Sequence, residues 1–241
     1  MIRLFVADID GCLAMPYEPF RLDRMQELAK LIARPDTPDF ALCSGRSYAY
    51  VEAITQLLAL SQPVLFESGG GMFDVTTGLS KLHPSFTPAV RSEVLIIREY
   101  LEQLIRAYPG LSIDYGKQTQ AALVGVEENG LFEVLDRIKP WVHERYPQHH
   151  TFHTHISIDV VPEGLTKAEG LAWLGDTLDL EVSEMAYIGD SDGDWGALAV
   201  CGHSFAPSNA DPIVKEAVDH ASELLDIDSV IEAYLLVSEL V

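Results

Sequence analysis

The chain has 241 residues, 48% of them hydrophobic, enough for one large domain or for a domain that carries a second. Its formal net charge of -21, with a pI near 4.5, repels nucleic acid and anionic membranes, so neither is an expected partner. Three cysteines (Cys12, Cys43 and Cys201) lie far apart without CxxC spacing, which argues against a disulfide framework or a zinc ribbon and suits a reducing cytosol. The first apolar run is broken by Asp8, so no signal peptide is expected, and no apolar stretch is long enough for a bilayer span. A cytoplasmic location follows as the expectation.

"IRLFVA" (2–7) is a short apolar run ending at acids and a glycine, and reads as a buried parallel strand. Leu22, Met25, Leu28, Ala29 and Ile32 space a helix over 21–33. "FALCS" (40–44) predicts a second strand, 48–60 a second helix, and "PVLFE" (63–67) a third strand followed by a turn at Gly69–Gly71. This alternation predicts a parallel sheet with helical crossovers.

The pattern changes after "KLHP" (81–84). Thr87 and Pro88 suit a helix start, and an apolar face runs from Val90 to Ile105. Two strand-like stretches, 111–115 and 119–126, are joined by "GKQ", a link short enough to require antiparallel pairing. A helix over 131–145, broken near Pro140, and a strand over 155–161 complete an inserted α+β unit, 83–161. The first pattern then resumes with a helix (166–178), an apolar strand ending in acid (185–190) and a helix at 211–220. The expected fold class is α/β: a Rossmann-like parallel-sheet core domain built from 1–82 and 162–241, interrupted by the inserted cap.

Open parallel sheets bind ligands beyond the carboxyl ends of their strands. Those ends carry Asp8 and Asp10, Ser44, and later Asp190 and Asp194. Four converging carboxylates could not all stay ionised unpaired, and a hard divalent cation with oxygen ligands would relieve them; magnesium suits carboxylates plus a phosphate. "GDSDGDWGAL" (189–198) is not a calcium loop: counting from Asp190, the sixth position is Trp195 and the twelfth Cys201.

"DIDGC", "LCSGR", "GLTKAEGL" and "YIGDSDGDWGAL", in that order, resemble the four motifs of the haloacid dehalogenase superfamily. The insertion resembles the α/β cap of its Cof-like branch, "FESGGGMFD" that branch's Glu-Asn-Gly segment, and "APSNADPIVKEAVDH" its region after the fourth motif. The resemblance implies a magnesium-dependent phosphatase working through an aspartyl phosphate. Asp8 would be the nucleophile, Asp10 the general acid/base, Ser44 with Gly45 the phosphoryl binder, and Lys167 the counter-charge. It implies Mg²⁺ held by Asp8, the Asp10 carbonyl and Asp190, with Asp194 acting through water. The substrate would be a small phosphorylated metabolite, a sugar phosphate or a small phospho-acid. A phosphomutase with the same nucleophile, a phosphorylation-driven signalling module and a non-catalytic phospho-ligand binder are the alternatives.

Cys12, Ser68 and Gly193 depart from the usual Thr, Asn and Asn/Asp of that family. Arg46 suits a phosphate or substrate contact, and Asn209 could line the site or simply make a turn. Lys117, Gln118 and Gln120 could read the leaving group or be exposed turn residues. His153 and His155 are expected on one face of a strand, where they would be ordinary surface or packing histidines, a substrate-facing surface or, least of all, zinc ligands. The sequence leaves the oligomeric state open.

Overall fold

A computed structural model describes residues 1–126 and 129–239. The central sheet is five-stranded and wholly parallel. It comprises β1 (Leu4–Ala7), β2 (Asp39–Leu42), β10 (Met185–Ile188), β11 (His203–Ala206) and β12 (His220–Ala221), in the order β12-β11-β10-β1-β2. Each residue of β1 is buried, as a strand covered on both faces requires. One face carries Phe5, Phe40 and Tyr234 among α1 (Leu22–Ile32), α2 (Tyr48–Leu57) and α8 (Asp226–Ser238). The other carries Leu4, Val6 and Tyr187 against α5 (Lys167–Leu178) and α6 (Trp195–Val200).

The third expected strand, β3 (Val64–Phe66), packs beside the parallel sheet but, among the described residues, pairs with it only through the bridge Cys43–Leu65. It pairs instead with β4 (Gly71–Asp74) and β5 (Leu79–Leu82) in a small antiparallel sheet, where the sequence suggested only a turn. The short runs after the glycines hid these strands. β11, β12, α6 and α8 likewise lay outside the expected elements, and the helix expected over 211–220 is α7 (Pro212–Ala217) running into β12.

Between the two halves of the core sits a four-stranded antiparallel sheet, β6 (Ser112–Ile113), β7 (Ala121–Val124), β9 (Ser157–Pro162) and β8 (His149–His153), in that order. One face is covered by α3 (Pro88–Leu104) and α4 (Leu131–Arg145), with a separate apolar core of its own. Thr87 caps α3 by accepting from the Val90 amide. Contrary to expectation, α4 runs unbroken through Pro140. Ile138 and Val142, both buried, anchor the helix on either side, and that burial outweighs the hydrogen bond proline removes.

Arg21 and Arg24 reach from the start of α1 to Asp228 in the first turn of α8, at 2.7 and 2.6 Å. Partial burial would raise the Asp228 pKa, but the two guanidinium groups outweigh it and lower the value. Such an acid contributes stability that is present above its unfolded pKa and lost as pH falls through the depressed folded value. Asp228→Asn is therefore expected to lower Tm by roughly 2–4 °C at pH 7, with the difference shrinking in acid. Thermal melts of both proteins at pH 7 and pH 3 check this; an equal gap at both pH values refutes it.

Candidate active site

The register of the parallel sheet sets Ala7 beside both Leu42 and Ile188, so the chain leaves three neighbouring strands at one level. Asp8, Ser44 and Asp190 therefore emerge together beyond the carboxyl ends. Lys167 arrives from the other side as the first residue of α5, whose start is fixed by a capping box between Thr166 and Glu169.

The Lys167 ammonium, 5% exposed, lies 2.8 Å from Asp8 Oδ2 and 2.6 Å from Asp194 Oδ1. Burial alone would lower its pKa; Asp194 and Asp8 outweigh burial and raise it well above the usual value. The Tyr187 hydroxyl donates to the same Asp194 oxygen at 2.6 Å, while Asp194 Oδ2 accepts from the Asp190 amide and from the Ser191 amide and hydroxyl. Asp194, fully buried, is thus filled with donors. It orients Lys167 and the 190–191 turn.

Asp8 is 5% exposed, with Oδ1 accepting from the Ile9 amide at 2.7 Å. Its pKa is raised to about 7, first by burial, which Lys167 offsets and Asp194 and Asp10 reinforce. Burial, Asp194 and Asp8 likewise push Asp190 well up. Asp8, Asp190 and Asp194 bring carboxylate oxygens within 4.8 Å of one another, the one such group of His, Cys, Asp or Glu among the described residues. The loop above them is shaped for close approach. Gly11 has φ +75°, and a Cβ there would stand 2.0 Å from Asp190 Oδ2. This donor set, hard oxygens with too little positive charge to keep them all ionised, fits a divalent cation such as Mg²⁺ held by Asp8 and Asp190.

Residues 98–233, more than half of the chain, match the family model for haloacid dehalogenase-like hydrolases. The chain belongs to the haloacid dehalogenase-like hydrolases. It is 26% identical over 225 residues to a phosphoglycolate phosphatase of Halorubrum lacusprofundi, with 91% of this chain and 90% of that protein aligned. It is 24% identical over 246 residues to an HMP-PP phosphatase of Escherichia coli O157:H7, covering 91% and 89%. The crystal structure of the Thermoplasma acidophilum protein 0175 superposes with a TM-score of 0.81 at 21% identity, each chain covered in full. The sucrose-phosphatase of Synechocystis, solved with sucrose and phosphate, superposes with a TM-score of 0.72 at 16% identity over 99% of each chain. These two share the fold.

In this hydrolase Asp8, Asp10, Ser44, Gly45, Arg46, Lys117, Lys167, Asp190 and Asn209 line one cavity of about 290 Å³, whereas Gln118 and Gln120 do not. Asp10 faces Arg46, which forks onto both its oxygens, each at 2.6 Å. Arg46 in turn lies over the ring of Tyr50, 4.8 Å from its centroid. Its guanidinium, expected on a phosphate, is engaged by a carboxylate here. Ser44 Oγ accepts from the Arg46 amide at 3.3 Å. Asn209 spends both ends of its amide on backbone, donating to Gly11 O and accepting from the Asp226 amide, and so secures the Gly11 loop.

The cap reaches the core through Glu67. Its backbone and that of Ser68 are both left-handed, at φ 51° and 58°, held by their amides donating to Arg46 O and Ser44 O. Glu67 Oε2 accepts from the amides of Gln118 and Thr119 and from the Thr119 hydroxyl, at 2.6 to 2.8 Å. Gln120 Nε2 adds a bond to Gly45 O. Gln118, Thr119 and Gln120 thus latch the insertion to Glu67 and Gly45. Glu67→Ala is expected to raise hydrogen exchange at the Gln118 and Thr119 amides by tenfold or more. Unchanged protection at both would remove the latch.

Two further residues escaped sequence reading. Tyr187 looked like an ordinary strand aromatic. Asp159, on β9, carries the Lys117 ammonium, and its only signal was an acid at an alternating position in "ISIDVV". His153 ends β8 whereas His155 sits, exposed, in the following turn, so the two do not share a strand face. Both line the cavity, and neither joins a metal-like cluster. Cys12 is buried, its thiol pushed well up by burial and the neighbouring acids, which keeps it protonated. A Cβ at Gly193 would meet only Ser191 Oγ, at 3.9 Å, so that departure leaves open space rather than a broken contact.

Proposed function

We propose that this hydrolase is a Mg²⁺-dependent phosphatase for a small phosphorylated metabolite, working through an aspartyl phosphate, with residues 83–161 acting as a cap over the site. The observation that carries this reading is the buried Lys167 ammonium bridging Asp8 and Asp194 beside Asp190, at the carboxyl ends of parallel strands. Relatives named as phosphatases over nearly the whole chain support it.

Asp8 Oδ2 attacks phosphorus while the bond from phosphorus to the ester oxygen breaks, leaving an acyl phosphate and an alkoxide. Lys167, fixed by Asp194, balances the charge on the phosphoryl oxygens and on Asp8. Ser44 and the Gly45 backbone hold those oxygens in line. Asp10 gives the leaving oxygen its proton, then takes one from the water that attacks the acyl phosphate, releasing inorganic phosphate and restoring Asp8. When bound, Mg²⁺, held by Asp8, the Asp10 carbonyl and Asp190, with Asp194 behind them, would supply positive charge to the transferring group. Arg46 would hold Asp10 in place, while Asn209 would maintain the loop and Lys117 meet the leaving group from the cap.

The test is hydrolysis of an aryl phosphate with and without Mg²⁺, followed by a panel of phosphorylated metabolites. Inorganic phosphate as the main product supports a phosphatase. Phosphoryl transfer back to substrate would make the enzyme a mutase, and no turnover would remove the reading.

A further inference from the structure

The cations of the cavity are all engaged. Lys167 faces Asp8 and Asp194, Arg46 faces Asp10, and Lys117 faces Asp159. Asp114, Asp192 and Asp211 also line the cavity and have no ion-pair partner among the described residues. Burial holds His153 away from protonation, so it adds no positive charge at neutral pH. Any leaving group therefore meets a surplus of acid in the cavity.

The Lys117–Asp159 pair sits in that cavity as a fixed element. Lys117 is 4% exposed, and its carbonyl accepts from Arg98 at 2.7 Å. Asp159 takes the Lys117 ammonium and Gln120 Nε2 on one oxygen, and the Ser157 hydroxyl at 3.0 Å on the other. The neighbouring segment is tied to the core through Glu67 and Gly45. A strong donor and a strong acceptor thus stand side by side on the cavity that Asp8 and Ser44 also line. Phe132, Phe152 and Val124 line the same cavity with apolar surface.

We infer that Lys117 and Asp159 form the leaving-group reader, and that they select a neutral, hydroxyl-bearing leaving group over a carboxylate. This rests on the phosphatase reading of the site. A hydroxyl accepts from Lys117 and donates to Asp159 together, satisfying both without separating their charges. A carboxylate finds no spare cation and is repelled by Asp159 and the unpaired acids. The apolar wall suits the carbon face of a polyol. The preference sets this chain apart from what the name of its Halorubrum relative implies, since phosphoglycolate leaves as a carboxylate-bearing alcohol.

Two compounds of similar size separate the classes: glycerol 3-phosphate and 3-phosphoglycerate, which replaces a hydroxymethyl by a carboxylate. Each is titrated at pH 8 with Mg²⁺ as a competitor of aryl phosphate hydrolysis. Glycerol 3-phosphate is expected to compete at least tenfold more tightly than 3-phosphoglycerate. In Asp159→Asn, which frees the Lys117 charge, that advantage should shrink at least fivefold. Each ratio is taken within one protein, so a change in the amount of folded enzyme cancels. A smaller wild-type advantage, or a ratio unmoved in Asp159→Asn, overturns the inference and leaves the phosphatase standing. Failure of wild type to hydrolyse the aryl phosphate takes both down.

Discussion

Asp8→Asn is expected to abolish phosphate release, by about 10⁴-fold or more, while the protein stays folded. The carboxamide has nearly the shape of the carboxylate, and its oxygen can still accept from the Ile9 amide. It has no oxygen able to bond covalently to phosphorus and leave again. The fold tolerates the change because Asp8 is a buried acid whose pKa already stands near 7, so the ionised form is disfavoured by its surroundings. Lys167 does not become an unpaired buried charge, since Asp194 remains 2.6 Å away. Phosphate release and a thermal melt on the same preparation decide the matter. Residual turnover above about one per cent of wild type in a protein that melts normally would remove Asp8 as nucleophile.

The second large effect concerns the cation. Chelation is expected to stop turnover, and Mg²⁺ to restore it and raise Tm by roughly 5–10 °C at about a hundredfold excess over Kd. The pH dependence follows from sign. Asp8 and Asp190 both have folded pKa values raised above the unfolded carboxylate range. Between the unfolded value and about 7 the folded protein binds more protons than the unfolded chain, so the metal-free protein loses stability as pH rises through that window. A cation must displace the Asp8 proton below pH 7 and much less of it above. The Tm gain from Mg²⁺ should accordingly be larger at pH 8 than at pH 5, and should largely vanish in Asp190→Asn. Equal gains at the two pH values, or a full gain in that variant, would contradict a site built on Asp8 and Asp190.

Some of this architecture was open to reading in one dimension. A buried parallel strand must be apolar throughout and must end where ligands bind, so "LFVADID" and "MAYIGD" announced both their type and the acids they carry to the sheet edge. The antiparallel pairing of β6 and β7 was legible because a short link between two strands implies it, although both strands are shorter than expected and residues 114–120 separate them. Short strands were not legible: β4, β5, β11 and β12 have two to four residues each, too few for a period to show. The α4 proline misled because a local penalty was weighed without the tertiary burial that overrides it.

The sequence by itself determined the alternation of the longer strands and helices, the acids at the strand ends and the lysine that opens α5, because each is encoded in a few adjacent residues. Only the tertiary structure decided the partners. Arg46 took Asp10 rather than standing free, Asp159 took Lys117, Glu67 took the amides of Gln118 and Thr119, and Asp194 was filled by Lys167, Tyr187 and Ser191. A backbone pattern fixes where a side chain starts, but a charge-assisted hydrogen bond holds only over about 3 Å. Which group lies within that reach depends on how segments tens or hundreds of residues apart pack together.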